Sequence, residues 1–406
     1  MASRVDRADV LVVGAGPAGV AAALGAKTRG LDVVVVDKAT FPRDKTCGDG
    51  LTTGALRLLE RLGVDVPSIT GSATVRETVL VSPSGRQVTL PLPNGGVHSA
   101  VVPRLELDAA LVARAREAGV RIRDACPLTE LSAQGDRMEA RLGDDGDRIT
   151  TRFVVAADGH YSATRRLAGP SAPADVGTWH AARQYFARVD DPRQWVLFEP
   201  DLLPGYAWVF PLPGGRANVG FGVLRDGRSG GALKRLWSSV LARTSLRAVL
   251  GSEAQPEAPY RAWPIPASYD PRRLTAGRVL YVGDAAAVVD PMTGEGIAQA
   301  LESGMLAAEA IARGGEPDVV AARYRRAVHV SLGRDLRFAG ALQRLLRSTL
   351  GARAAIRAAG LTPWTRRNFA RWMFEDYPRA LLLTPDRWTP GVFTPPGTFS
   401  TSEPIG

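Results

Sequence analysis

"ADVLVVGAGPAGVAAALGAKTRGLDVVVVDKA", residues 8–39, reads as strand, turn, helix and strand. Residues 10–13 and 33–36 are unbroken apolar runs, the pattern of parallel strands buried on both faces. Gly14, Gly16 and Gly19 between them form G-x-G-x-x-G. The first glycine permits a tight turn, the second lets the backbone approach a pyrophosphate, and the third lets helix and strand pack closely. Pro17 and Ala18 open the following helix, whose positive N-terminal end suits the pyrophosphate. Asp37 closes the second strand, with Lys38 beside it. An acidic residue there accepts hydrogen bonds from the ribose of an adenosine. The stretch predicts a dinucleotide site and leaves NAD and FAD both open.

The 406 residues, 45% hydrophobic and 23% charged, suit a globular protein of two or three domains with a sizeable core. Two cysteines, Cys47 and Cys126, exclude a disulfide framework and point to a reducing cytoplasm. Cys126 reads as core filler on a strand. His98, His160, His180 and His329 lack metal-ligand spacing, so no metal site is expected. Arg4 and Arg7 before an apolar run look superficially like a secretory leader. Asp6 and Asp9 interrupt the basic flank, and the glycine fingerprint accounts for the run. No other uncharged stretch has the length of a membrane span, so the chain is expected to be soluble or peripheral.

Three further stretches choose between the dinucleotides. "RLELDAAL" sets Arg104 and Asp108 one helical turn apart. "RFVVAADGHYSATRR" is a strand ending at Asp158-Gly159, with Ser162 and Arg165 after it. "GRVLYVGDAAAVVDPMTGEGIAQALESG" is a strand ending at Gly283-Asp284, followed by Pro291, Gly294, Glu295, Gly296 and Ile297 at the start of a helix. In this order they resemble the FAD-dependent family that includes p-hydroxybenzoate hydroxylase, over residues 9–312 with gaps. The resemblance implies that Arg104 lies beside FAD and that Asp284 contacts its ribityl and pyrophosphate region. It also implies that residues 294–297 present backbone N–H groups to the pyrimidine end of the isoalloxazine. A reduced flavin carries negative charge near N1, which a helix N-terminus stabilises. With no second dinucleotide fingerprint, NAD(P)H or another reductant would act as a transient electron donor.

Two more motifs resemble the geranylgeranyl reductase branch of that family. "FPRDKTCGDGLTTGAL", residues 41–56, carries Cys47-Gly48 in a loop after the second strand. "PGYAWVFPLPGGRANVGFG", residues 204–222, carries Y-x-W-x-F-P and then N-V-G-x-G. Tyr206, Trp208, Phe210 and Pro211 belong to the first, Asn218, Val219, Gly220 and Gly222 to the second. Strand side chains alternate, so the three rings share one face. By resemblance they line a substrate cavity in front of the flavin, and the Cys47 loop approaches the isoalloxazine. An apolar polyprenyl chain has no hydrogen-bond handles and requires such a wall. Ordinary core packing is the competing reading of the rings. For Cys47, a small buried hydrophobe competes with a proton donor whose pKa is depressed by Arg43 and Lys45.

The implied reaction is reduction of polyprenyl carbon–carbon double bonds by hydride from reduced flavin. Flavin-dependent halogenases share the scaffold but require a lysine where this chain has none between Lys45 and Lys234. An FAD-dependent hydroxylase acting on an aromatic or natural-product intermediate remains open, as does a flavoprotein that only binds lipid or a partner.

The fold class expected is α/β. A Rossmann-type FAD-binding domain is assembled from residues 1–70, 101–170 and 275–325, and a β-rich substrate domain from 71–100 and 171–274. Residues 326–388 form a basic helical segment and 389–406 an irregular tail. Residues 73–93 should give two strands joined at Ser84-Gly85. Between residues 321 and 387 fourteen arginines face four acidic residues, so this stretch holds the whole net charge of +10. Leu332, Leu336, Leu342, Leu345, Leu346 and Leu350 recur there at helical spacing, with Trp364, Trp372, Phe374 and Trp388 further on. Basic helices carrying Trp and Phe suit an anionic membrane surface, and a helical lid over the FAD domain is the plainer reading. The expected partners are an apolar polyprenyl substrate and that membrane surface, with no nucleic acid.

Overall fold

The computed structural model describes residues 5–92, 96–143, 146–169, 177–225, 230–374 and 380. The strand Val5–Val13 lies in the middle of a parallel sheet, between Val33–Val36 and Asp147–Ala156. Arg121–Arg123 continues the sheet on one side and Val279–Tyr281 on the other, both parallel. The apolar runs are buried, as a sheet covered on both faces requires. In such a sheet the strands' carboxyl ends share one edge, which is where ligands bind. Gly14, Asp37, Asp158 and Gly283-Asp284 each follow one of these strands, so the parallel pairing alone brings them together.

The helix Pro17–Lys27 is buried along its length from Pro17 to Ala26, sandwiched against Ile297–Ala312. Two glycines let the turn and the helix close on the sheet. Gly14 has φ +104°, and a Cβ there would lie 2.4 Å from the Ala157 carbonyl oxygen. A Cβ on Gly19 would lie 1.8 Å from the Gly14 carbonyl oxygen, so helix and strand could not close on each other.

A second sheet stands over that edge. Its order is Gln255–Pro256, Trp179–Ala187, Arg216–Leu224, Tyr206–Leu212, Gln194–Leu197, Glu77–Val81 and Gln87–Pro91, with Arg261–Ile265 also paired to Trp179–Ala187. The last two strands of the main path form the hairpin expected at Ser84-Gly85. One face packs on the helices Gly230–Leu241 and Thr244–Leu250 through Val79, Val81, Ala207 and Val209. The other face carries Leu80, Tyr206, Trp208 and Phe210. The two-residue period thus separates a core side from a cavity side.

The basic segment is helical: Pro317–Val328, Arg334–Leu346, Thr349–Ala359 and Pro363–Phe374. Of its leucine series only Leu336 is buried. The stripe is not a core seam, because Leu342, Leu345 and Leu346 face a cavity instead. Trp388 and the expected tail lie outside the described residues. Cys126 also departs from expectation. It sits in the connection between Arg121–Arg123 and Leu128–Gln134 rather than on a strand, held by a 2.7 Å bond from its N–H to the Asp37 carbonyl. It packs partly against the core and partly lines the cavity. Pro127 follows it, which explains the break in the ladder.

Candidate active site

A single cavity of about 1110 Å3 runs from the fingerprint loop past Cys47 to the aromatic strand and the terminal helices. Its groove end is charged. Asp37 is buried, its carboxylate accepting from the N–H groups of Ala15 at 2.7 Å and Ala39 at 2.8 Å. Lys38 beside it is exposed. Arg104 binds Asp108 through two bonds of 2.8 Å, and Arg43 approaches the same carboxylate at 3.1 Å. A Cβ on Gly16 would meet the guanidinium nitrogens of Arg43 at 3.5 Å and Arg104 at 3.9 Å. Two guanidiniums sharing one carboxylate therefore face a helix N-terminus, an arrangement that fits a diphosphate. Asp158 holds Thr164 through one carboxylate oxygen, while the other is buried without a hydrogen-bond partner among the described residues. Asp158 lines the cavity, so a ligand hydroxyl can satisfy that oxygen.

Gly283 opens a 3-10 turn that carries Asp284, and both line the cavity with Gly294, Glu295, Gly296 and Ile297. The loop before the helix Ile297–Ala312 is organised by the buried Asp290, which accepts from the N–H groups of Met292 and Thr293. Glu295 accepts from the Ala298 N–H at 3.0 Å. Tyr206 donates its hydroxyl to the Thr293 carbonyl, joining the aromatic strand to this loop.

The Cys47 loop lies on the aromatic wall. A Cβ on Gly48 would be 3.5 Å from the Trp208 indole and 3.7 Å from Phe210. Tyr206 and Trp208 have ring centroids 6.1 Å apart, and Trp208 and Phe210 6.0 Å. Trp208 and Phe210 belong to a buried apolar cluster and also line the cavity. Gly220 makes room for them, since a Cβ there would stand 2.3 Å from the Trp208 ring.

Asp49 ties loop to wall. It is fully buried, at φ +64°. Its carboxylate accepts from Tyr185 Oη at 2.6 Å and Asn218 Nδ2 at 2.7 Å, and its N–H donates to Cys47 Sγ at 3.3 Å. Asn218 donates as well to the Cys47 carbonyl at 2.9 Å and accepts from Trp208 Nε1 at 3.0 Å. Burial pushes the Asp49 carboxyl up to about 6 against the pull of these donors. Burial, with Asp49 adding, also raises the Cys47 thiol, and Arg104 does not compensate. The expected depression of Cys47 is therefore corrected: the thiol keeps its proton at neutral pH. Lys45, whose Nζ sits 3.4 Å from the Trp263 ring centroid, is lowered by burial to about 8. Asp44 clamps the loop from its other end, binding Arg183 at 2.7 Å and Arg261 at 3.1 Å.

The Asp49 shift sets a pH dependence. The carboxyl titrates at 3.8 when unperturbed and at about 6 in the fold, so ionising it opposes folding. Its contribution is complete below about pH 4 and is lost as pH rises through 6, a difference of roughly 3 kcal/mol. Asp49→Asn should flatten the dependence of Tm on pH between 4 and 7; an unchanged slope would assign the titration elsewhere.

Fold and groove together define a dinucleotide-dependent oxidoreductase. Residues 7–314 match the FAD binding domain family, and the chain belongs to that family of FAD-dependent enzymes. It is 36% identical over 331 residues to the menaquinone reductase of Mycolicibacterium smegmatis, covering 77% of this chain and 78% of that protein. It is 33% identical over 339 residues to digeranylgeranylglycerophospholipid reductase 1 of Methanopyrus kandleri, covering 78% and 83%. The crystal structure of a geranylgeranyl bacteriochlorophyll reductase-like protein from Thermoplasma acidophilum matches with TM-score 0.78 and 24% identity, over 94% of this chain and 99% of that one, and shows the same fold. The protein is a geranylgeranyl reductase-like oxidoreductase with FAD as its cofactor. Among the described residues no helix is long and apolar enough to cross a membrane.

Proposed function

We propose that this enzyme reduces carbon–carbon double bonds of a polyprenyl substrate. The observation that carries the reading is the join between two halves of one cavity. A charged dinucleotide groove passes beneath Cys47 into a chamber walled by Tyr206, Trp208, Phe210, Ile356, Phe369 and Met373. The relatives' names, reductases of menaquinone and of digeranylgeranylglycerophospholipid, denote isoprenoid substrates and support it.

Gly14, Gly16, Pro17, Ala18, Gly19, Asp37, Lys38, Arg104, Asp158, Gly283 and Asp284 would hold FAD, with Cys47, Gly48 and residues 294–297 towards its flavin end. Bound FAD, once reduced by NAD(P)H or another donor, supplies the hydride. The chain's own residues do the rest. An isolated alkene is a poor hydride acceptor, so alignment between the aromatic wall and the terminal helices and exclusion of water carry much of the catalysis. Cys47 holds a proton at Sγ for the second carbon. The hydrogen bonds from Asp49 and Asn218 keep its loop on the wall.

The test is anaerobic. Photoreduced holoprotein is mixed with geranylgeranyl lipids and, as a control, with their saturated counterparts. Return of the oxidised flavin spectrum with the unsaturated lipids alone is expected. Reoxidation by air only would remove the proposal and favour a hydroxylase.

A further inference from the structure

The cavity reaches the surface between the three helices Arg334–Leu346, Thr349–Ala359 and Pro363–Phe374. Leu345 and Trp364 line the cavity and are also 55% and 56% exposed, which places them at its mouth. Eight large apolar side chains are exposed among the described residues, and four of them, Leu345, Leu350, Leu361 and Trp364, lie on this one segment. A concentration of that kind marks an interaction surface rather than scatter.

Charge says what the surface meets. Residues 336–374 contain eight arginines and no aspartate or glutamate. Arg344, Arg347, Arg353 and Arg357 are exposed, and none has a carboxylate within ion-pair distance among the described residues. Unpaired arginines around exposed leucines and a tryptophan match an anionic lipid interface, where apolar groups enter the acyl boundary and cations meet headgroups. A second copy of this face is disfavoured, because a twofold interface would set the arginines against their own equivalents.

We propose that this rim docks on an anionic bilayer and that the substrate chain enters the cavity directly from the lipid. Docking stands on the rim alone; entry of the chain rests on the polyprenyl reading. The cavity of about 1110 Å3 also has to hold FAD. It therefore takes in the reacting part of a long chain while the remainder stays in the bilayer, and no apolar tail crosses water.

The experiment uses FAD-loaded protein and substrate-free vesicles of phosphatidylcholine, with or without about a third phosphatidylglycerol. Flotation with the anionic vesicles at low salt is expected, weakening as salt rises. Leu350, Leu361, Arg353 and Arg357 lie off the cavity wall. Arg353→Glu with Arg357→Glu should lower partitioning at least roughly tenfold, and Leu350→Ser with Leu361→Ser should lower it independently. Both double variants should retain wild-type turnover on a short, detergent-dispersed prenyl substrate and lose it on vesicle-borne substrate. Protein that stays at the bottom, floats equally with neutral vesicles, or forms a dimer that hides these residues would overturn docking. If it docks but reduces no prenyl lipid, the polyprenyl reading fails and docking stands. If it reduces dispersed substrate without binding vesicles, docking fails and the reading stands.

Discussion

Cys47→Ala is expected to lower turnover by roughly 10²- to 10⁴-fold, the span for loss of a positioned proton donor, while the protein stays yellow. The thiol is kept protonated by burial, and Asp49 and Asn218 hold its loop against the Trp208 ring. Alanine removes the proton and the bond from the Asp49 N–H to Sγ, and leaves the Asn218 bond to the Cys47 carbonyl in place. Substrate affinity should therefore change little while kcat falls. Asp49→Asn gives the comparison: a positioning residue shifts the pH profile and loosens the loop without removing the donor. Turnover within twofold of wild type in Cys47→Ala would return Cys47 to packing and move the proton to solvent.

Trp208→Ala should cost about 3–5 kcal/mol of stability, as large aromatic truncations in packed interiors do, and should abolish binding of long-chain substrate. The side chain fills the space that Gly220 leaves open, meets Tyr206 edge-on and Phe210 at a tilt, and donates to Asn218. Its loss opens the cavity to water and unseats the residue that holds Cys47. FAD binding, which we propose at the edge of the other sheet, should persist. Tyr206→Phe separates the two roles, because it keeps the apolar wall and removes only the bond to the Thr293 carbonyl. Unchanged substrate binding and turnover in Trp208→Ala would show that the aromatic strand is core alone.

What was legible in the sequence was what depends on local backbone. Gly14, Gly16, Gly19 and Asp37 announce a strand–turn–helix–strand unit because Gly19 answers a contact five residues back and Gly14 one across a parallel ladder. The common face of Tyr206, Trp208 and Phe210 follows from strand period. The Asp49 network was not legible, since its partners Tyr185 and Asn218 are 136 and 169 residues away. Cys47-Gly48 and Asn218 each stood inside a motif, and nothing in either stretch shows that they meet. The sign of the Cys47 shift was misread for the same reason: Arg43 and Lys45 are neighbours in sequence, whereas burial and Asp49 are properties of the folded site. Arg43 on Asp108 was missed too, because an arginine in a loop carries no periodicity. The leucine stripe of the last helices was correctly periodic, but period alone does not say whether a face meets a core or a cavity.

The most direct test is the mass of the product. Holoprotein reduced without oxygen should add two hydrogens for each double bond reduced in a prenylated quinone or prenyl lipid, with the ring or headgroup unchanged. An unchanged substrate under those conditions, with one oxygen atom gained by an aromatic compound in air, would contradict the account.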